Sequence, residues 1–353
     1  MNKIIPWIVL GIFSALLAAC EPTDLTGVTP TREYRLTVMT HDSFAVSEPV
    51  IQAFESQHNV KVQFLSSGDT GTALNKAILS KDVPLADVFY GVDNTFLSRA
   101  LSEGLFEPYE SPLLGVIPAQ FKLDPQHRAL PVDYGDVCLN FDIAYFEKKG
   151  LPAPQSLEDL LKPEYKGMLV VQNPATSSPG LAFLLATISN FGSQGFVDYW
   201  RGLVENDVLV VNDWNSAYNN EFTFFGGTRP VVVSYSSSPP YELIFAQEAL
   251  KGLSTAAVTS DGSCFRQIEF VGILKGTPNR ALAEKWIDYM LSVQFQEDMP
   301  LQMFVFPVNP EAKLADAFQK YLVEPEFPAS LDPDEIAANR ETWINTWTET
   351  VLR

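Results

Sequence analysis

Three aromatic side chains and a carboxylate stand where this chain could hold a flat, positively charged molecule. Trp214 lies in Asp213-Trp214-Asn215-Ser216-Ala217-Tyr218, directly after the apolar run Val208-Leu209-Val210-Val211. Tyr235, Ser238 and Tyr241 lie in Ser234-Tyr235-Ser236-Ser237-Ser238-Pro239-Pro240-Tyr241, which closes another such run, Pro230-Val231-Val232-Val233. Asp69 sits between glycines in Gly68-Asp69-Thr70-Gly71, where backbone can come close to a ligand. A cation over an aromatic face gains about 0.5–2 kcal/mol, more when desolvated. Tyr and Trp more often pack cores or interfaces, but three at post-strand positions favour a pocket. A further constellation, Asn173-Pro174-Ala175-Thr176-Ser177-Ser178-Pro179-Gly180, puts Ser177 and Ser178 at a helix N-terminus. Free N–H groups and hydroxyls there suit an oxygen-rich or anionic group.

The signatures of catalysis are missing. The sequence contains no GxSxG elbow, no phosphate-binding GxxxxGKS/T loop, no HExxH, no CxxC and no DxDxDG. His41, His58 and His127 are scattered, without metal-ligand spacing. Asp69, Asp93 and Asp213 end strands and could form an acid/base pair, yet 43 acidic residues supply such candidates by chance. A binding protein is expected, not an enzyme, with no cofactor and no metal.

A regular alternation of elements must position these residues. Tyr34, Leu36 and Val38 alternate as a half-buried first strand, and Glu48-Pro49 opens a helix with Val50, Ile51 and Phe54 at helical spacing. Strands at 60–64 and 87–90 and helices at 70–79 and 94–103 complete a β-α-β-α-β-α pattern, that of a parallel sheet wrapped by helices. An extended stretch at 132–141 leaves this unit. A second unit follows, with a helix at 157–161 capped by Ser156, strands at 168–171, 208–211 and 230–235, and a long apolar helix from Pro179. Residues 267–274 read as a second extended crossing. Beyond it lie helices at 279–291 and 293–299 and a last one, capped around Asp332, with Ile336, Trp343, Trp347 and Val351 on its apolar stripe. Two αβ units joined by two crossings make a hinged two-lobe α/β protein, whose ligands lie beyond the carboxyl ends of strands. Lobe I is expected from 34–137 plus 266–353, and lobe II from 138–265.

Composition agrees with a globular protein. Hydrophobic residues make up 46% and charged ones 19%, outside the range of disordered chains. A net charge of −19 argues against nucleic acid and favours cationic ligands. The opening MNKIIPWIVLGIFSALLAAC has one lysine, an apolar run too short to span as a mature helix, and small residues before Cys20. That is a secretory signal ending in a lipobox. Cleavage after residue 19, a diacylglyceride on Cys20 holding the chain to a lipid bilayer, and a polar tether at 20–33 are expected. Cys138 and Cys264 are then left, an even number that permits one disulfide in an oxidising compartment or two separate buried thiols.

Several motifs together resemble one family: THDSF from Thr40, GDTG around Asp69, YGVDNTFL around Asp93, VDYGDVCLNFD, NPATSSPGL, DWNSAY, SYSSSPPY and the closing TWINTWTETVLR. The chain is similar to the thiamine-binding substrate-binding proteins of ABC importers, which have the type II periplasmic-binding fold. The resemblance implies an extracytoplasmic receptor that closes two lobes on thiamine, or a phosphorylated or pyrimidine relative, and delivers it to a membrane permease. It implies ligand contacts at Asp69, Ser177, Trp214, Tyr235, Ser238 and Tyr241. Three positions depart from the family pattern. His41 replaces a tyrosine, Phe44-Ala45-Val46-Ser47-Glu48-Pro49 lacks a tryptophan, and Phe304 stands where the family has one. Hinge strands of this fold run side by side, so Cys138 and Cys264 are expected to pair. Receptors for ferric ion or polyamines on the same fold are the rival reading, and a secreted hydrolase a weaker one. Ferric sites use neighbouring tyrosines, and this chain has no Tyr-Tyr pair, Tyr235 and Tyr241 being spaced apart by a proline-bearing loop.

Overall fold

The first unit builds from short βα repeats in which apolar spacing switches from two to about 3.6 residues. In the computed structural model, which describes residues 34–245 and 252–353, β1 (Tyr34–Thr40), β2 (Val60–Ser66) and β3 (Val88–Asp93) lie parallel with β1 in the middle. The expectations for the signal, Cys20 and the tether at 20–33 fall outside the described residues. Helices α1 (Glu48–His58) and α2 (Thr70–Leu79) link the three strands, and α3 (Leu97–Ser102) and β4 (Phe106–Glu107) follow. The chain leaves along β5 (Leu130–Asp142). It then forms α4 (Ile143–Lys149), β6 (Leu169–Gln172), α5 (Ser178–Glu205), β7 (Leu209–Val211), β8 (Val231–Tyr235), α6 (Ser238–Phe245) and β9 (Thr255–Val258). It returns along β10 (Phe265–Leu274) to α7 (Arg280–Leu291), α8 (Val293–Met303), β11 (Phe306–Pro307), α9 (Asp316–Tyr321) and α10 (Pro333–Val351).

All of this hangs on one sheet, ordered β2-β1-β3-β10-β5-β8-β6-β7. The two long strands in its middle, β10 and β5, are antiparallel to each other, and they join a parallel group on one side to a second parallel group on the other. Every residue of β3 is buried, which is why it reads as a continuous apolar run and not as an alternation. Pro179 in the first turn starts α5, whose long apolar run lies in the core.

Four features differ from the sequence-based reading. First, α3 begins at Leu97 and not at Asn94. Asn94 instead binds β10, donating to the Arg266 carbonyl at 3.1 Å and accepting from Ile268 N–H at 3.0 Å. Second, residues Glu158–Leu161 form a 3₁₀ turn without a side-chain cap from Ser156, and Pro163 prevents its extension. Third, Ser238-Pro239-Pro240-Tyr241, read as a loop, is the first turn of α6, where proline needs no N–H partner. Fourth, α10, grouped with lobe I by chain order, packs on α5, with the Trp347 and Trp200 rings edge-to-face at 5.5 Å. Its Arg340 reaches back to the first unit, donating to Thr95 O at 3.2 Å and Ser98 Oγ at 3.1 Å. α10 therefore bridges the two units.

Cys138 on β5 and Cys264, just ahead of β10, are bonded to each other, with their Cα atoms 4.3 Å apart. The bridge closes a separation of 126 residues, which on the chain-entropy argument stabilises by up to ~5 kcal/mol. Cys264→Ser is expected to lower the unfolding free energy of exported protein by roughly 2–5 kcal/mol in a urea titration. An unchanged midpoint, with two reactive thiols in the unreduced parent, would contradict the bridge.

Candidate functional site

Loops that follow the strands, the N-termini of α2 and α5, the middle of β10 and the end of α8 enclose a cavity of about 40 Å³. His41, Asp69, Trp214, Tyr235 and Phe304, all expected at the site, line it together with Ser178, Gln267 and Glu269. One wall is aromatic. Trp214 lies parallel to Tyr218 at 4.7 Å and meets Phe304 edge-on at 5.4 Å. Its indole N–H donates to Ser234 Oγ at 3.1 Å, which fixes the ring. Phe304 closes α8 in the left-handed region, φ 62°, and so turns its ring toward Trp214. The other three expected residues do not line the cavity. Ser177 caps α5 through Gly180 N–H, Ser238 Oγ lies 2.9 Å from Ser234 Oγ, and Tyr241 stacks on Phe245 at 4.3 Å and backs Phe304. Ser238 and Tyr241 brace the wall from behind, whereas Ser177 hydrogen-bonds Asp69.

The N-terminus of α5, which the sequence offered to an anionic ligand group, is taken by the protein's own carboxylates. Thr70 N–H, Trp214 N–H and Ser178 N–H donate to Asp69 at 2.7, 3.1 and 3.4 Å. The Ser178 hydroxyl donates to Asp93, which also accepts from the Thr95 hydroxyl at 2.7 Å and Phe96 N–H at 3.2 Å. Close backbone approach makes this possible. Gly71 N–H donates to Thr176 O at 3.0 Å, and a Cβ on Gly71 would lie 2.7 Å from Ala175 O. Burial raises the pKa of both carboxyls, and the donated hydrogen bonds offset part of the rise.

Sheet register assembles a row of acids beside the cavity. Glu269 on β10 pairs with Asp93 on β3 and, on its other side, with Asp133 on β5. Directly opposed residues share a face, so like charges are forced together. The Tyr90 hydroxyl lies 2.6 Å from Asp133 Oδ2 and 3.1 Å from Glu269 Oε2. His41 Nε2 stands 3.4 Å from Glu269 Oε1. Gly91, at φ +105°, leaves room for that imidazole, since a Cβ there would lie 2.4 Å from His41 Cδ2. Burial pushes Glu269 up to about 8 and Asp133 well above the usual carboxylate range, while it lowers the pKa of His41.

The model of the bacterial extracellular solute-binding proteins matches residues 83–336. This chain belongs to that family. It is 31% identical over 344 residues to the thiamine-binding periplasmic protein of Escherichia coli (strain K12), covering 96% of this chain and 100% of that one. A solved periplasmic thiamin binding protein superposes with a TM-score of 0.79 at 28% identity, over 91% of this chain and 97% of its own. The ferric binding protein from Campylobacter jejuni superposes at 0.71 with 20% identity, over 89% and 99% of the two chains, a likeness of fold alone. The α/β two-lobe type II periplasmic-binding fold is thus shared, and the family is one of receptors, not enzymes.

In this solute-binding protein the residues the sequence reading missed are Glu269, Asp133, Tyr90 and Gln267. A signal was present: Gln267 and Glu269 alternate with Ile268 and Phe270 in a strand that, apart from Arg266, is otherwise apolar, and a polar residue inside a central strand is informative. The folded protein keeps the Glu269 proton up to about pH 8, whereas an unfolded chain releases it near 4.5. Between those values the native state binds more protons, so Glu269 makes stability fall as pH rises. Thermal melts across this window should show that fall, flattened in Glu269→Gln. An equal slope in parent and variant would exclude Glu269 as its source.

Proposed function

We propose that this solute-binding protein is the extracytoplasmic receptor of an ABC importer and that its solute is thiamine. One observation carries the reading: the cavity joins an aromatic wall to buried carboxylates, and among the described residues no Lys or Arg lines it. A flat organic cation meets both surfaces. The names of the relatives point the same way. Trp214, Tyr235 and Phe304 would stack on the rings, and Asp69 and Glu269 would face the positive charge and amino group. Phosphate esters of thiamine bring negative charge beside those carboxylates, so thiamine itself is the favoured form, with a pyrimidine relative as the alternative. A ferric site built on paired tyrosines is less well supported. Tyr241 lies behind the wall, and the Tyr235 hydroxyl is engaged with Gln267 at 3.4 Å.

Capture requires opening, because about 40 Å³ admits water but not a vitamin. The contacts from Asp69 to Trp214 and from Asp93 to Ser178 would part while β5 and β10 bend. Ligand bridging both lobes then draws the population back to the closed form. A membrane permease would receive the closed receptor, held near the bilayer through an acylated Cys20. Thiamine is expected to quench tryptophan fluorescence saturably, and Trp214→Ala to lose most of the quenching and at least about tenfold in affinity. Absence of saturable binding by the parent contradicts the proposal, and unchanged affinity in the variant removes Trp214 from the site.

A further inference from the structure

We infer that Glu269 and Asp133 hold one proton between them and exchange it for the ligand's positive charge, His41 being the way out. This rests on the reading of the solute as an organic cation.

The geometry requires the proton. Tyr90 has a single O–H, yet its oxygen lies within hydrogen-bond distance of two carboxyl groups, at 2.6 Å from Asp133 and 3.1 Å from Glu269. Both contacts are hydrogen bonds only when one carboxyl donates back to the phenol oxygen. Two adjacent carboxylates in a dry site cannot both ionise without a counter-charge. The other groups facing the pair do not supply one. Asp69 from the start of α2, Asp93 from β3 and Asp42 beyond β1 are acids, and Tyr235 from β8 and Tyr90 are neutral phenols with raised pKa values. Among the described residues facing the pair, His41 alone could carry positive charge, and burial disfavours it there. Asp133 Oδ1 and His41 Nε2 are also buried without a hydrogen-bond partner, two polar atoms that a rearrangement on binding would satisfy.

A route exists. Among the described residues His41 is the side chain that lines both the ligand cavity and a second cavity of about 220 Å³, whose rim includes exposed Asp42. When a cation enters, the Glu269 O–H bond breaks and its electron pair stays on the carboxylate. The proton moves to His41 Nε2, 3.4 Å away, and the imidazole hands a proton to water in the outer cavity. One charge enters and one leaves, so the buried site keeps its net charge.

Calorimetric titration of the mature chain with thiamine, in two buffers of different ionisation enthalpy near neutral pH, reads the exchange. About one proton should be released per thiamine bound. The parent's affinity should rise by up to about tenfold per pH unit and level off above about 8. Glu269→Gln should release no proton and show a flat pH profile. Infrared spectra of the free protein should contain a protonated carboxyl band at neutral pH that Glu269→Gln or Asp133→Asn removes. Buffer-independent heats with a flat parent profile, or a missing band, overturn the inference. If thiamine gives no heat, the ligand reading falls, and the infrared band still decides whether the pair holds the proton.

Discussion

Four carboxyl groups, Asp69, Asp93, Asp133 and Glu269, are buried around one small cavity, and the rest of the site is arranged to make that tolerable. An unpaired carboxylate in a dry interior is costly enough that it must gain donors, a proton or a cation. Each acid here is handled differently. Asp69 takes backbone N–H groups from α2, α5 and the Trp214 segment; Asp93 takes hydroxyls from Ser178 and Thr95; Asp133 and Glu269 share Tyr90. Elsewhere the chain uses a direct counter-ion. Three residues along β5 from Asp133, the buried Asp136 forms a two-bond pair with Arg266 at 2.9 and 2.8 Å. The contrast is informative, because among the described residues no Lys or Arg lines the cavity.

The same acids connect the two units. Asp69 and Asp93 belong to the first, and their partners Ser178 and Trp214 belong to the second. Hydrogen bonds to charged groups contribute about 1.5–3 kcal/mol each at most, and water replaces them on opening. Contacts of that size allow the units to part and meet again. The disulfide joins Cys138, inside β5, to Cys264, just ahead of β10, and so ties those strands together, and α10 spans both units. On the proposed opening, these links would confine the motion to bending of the long strands under α10.

Much of this was legible in the sequence. Helix 70–79 with Asp69 before it, the two long crossings and the final helix behind Asp332 follow from local rules of capping and periodicity. The aromatic wall was legible too, because post-strand position is a local property. What local rules do not supply is register. Asp93, Glu269 and Asp133 come from three distant segments and meet only through the pairing of β10 with β3 and β5. Likewise Ser177 and Ser178 read as donors awaiting an anion, and only the tertiary approach of Gly71 to the α5 N-terminus brings the protein's own carboxylates there. Tyr241 was misplaced for a third reason: two prolines signal a loop as readily as a helix's first turn.

The central claim is that buried carboxylates select the solute by its charge, with the aromatic wall reading its shape. The most direct measurement compares thiamine with the isostere in which carbon replaces the charged thiazolium nitrogen, in competition for the full receptor. Shape and stacking area are nearly the same, so the difference isolates the electrostatic contribution. The account predicts that the neutral isostere binds at least about tenfold more weakly, as expected when a desolvated cation–π and ion-pair contribution is lost. Equal affinity for the two would mean that the carboxylates do not read the ligand's charge, and would contradict the account.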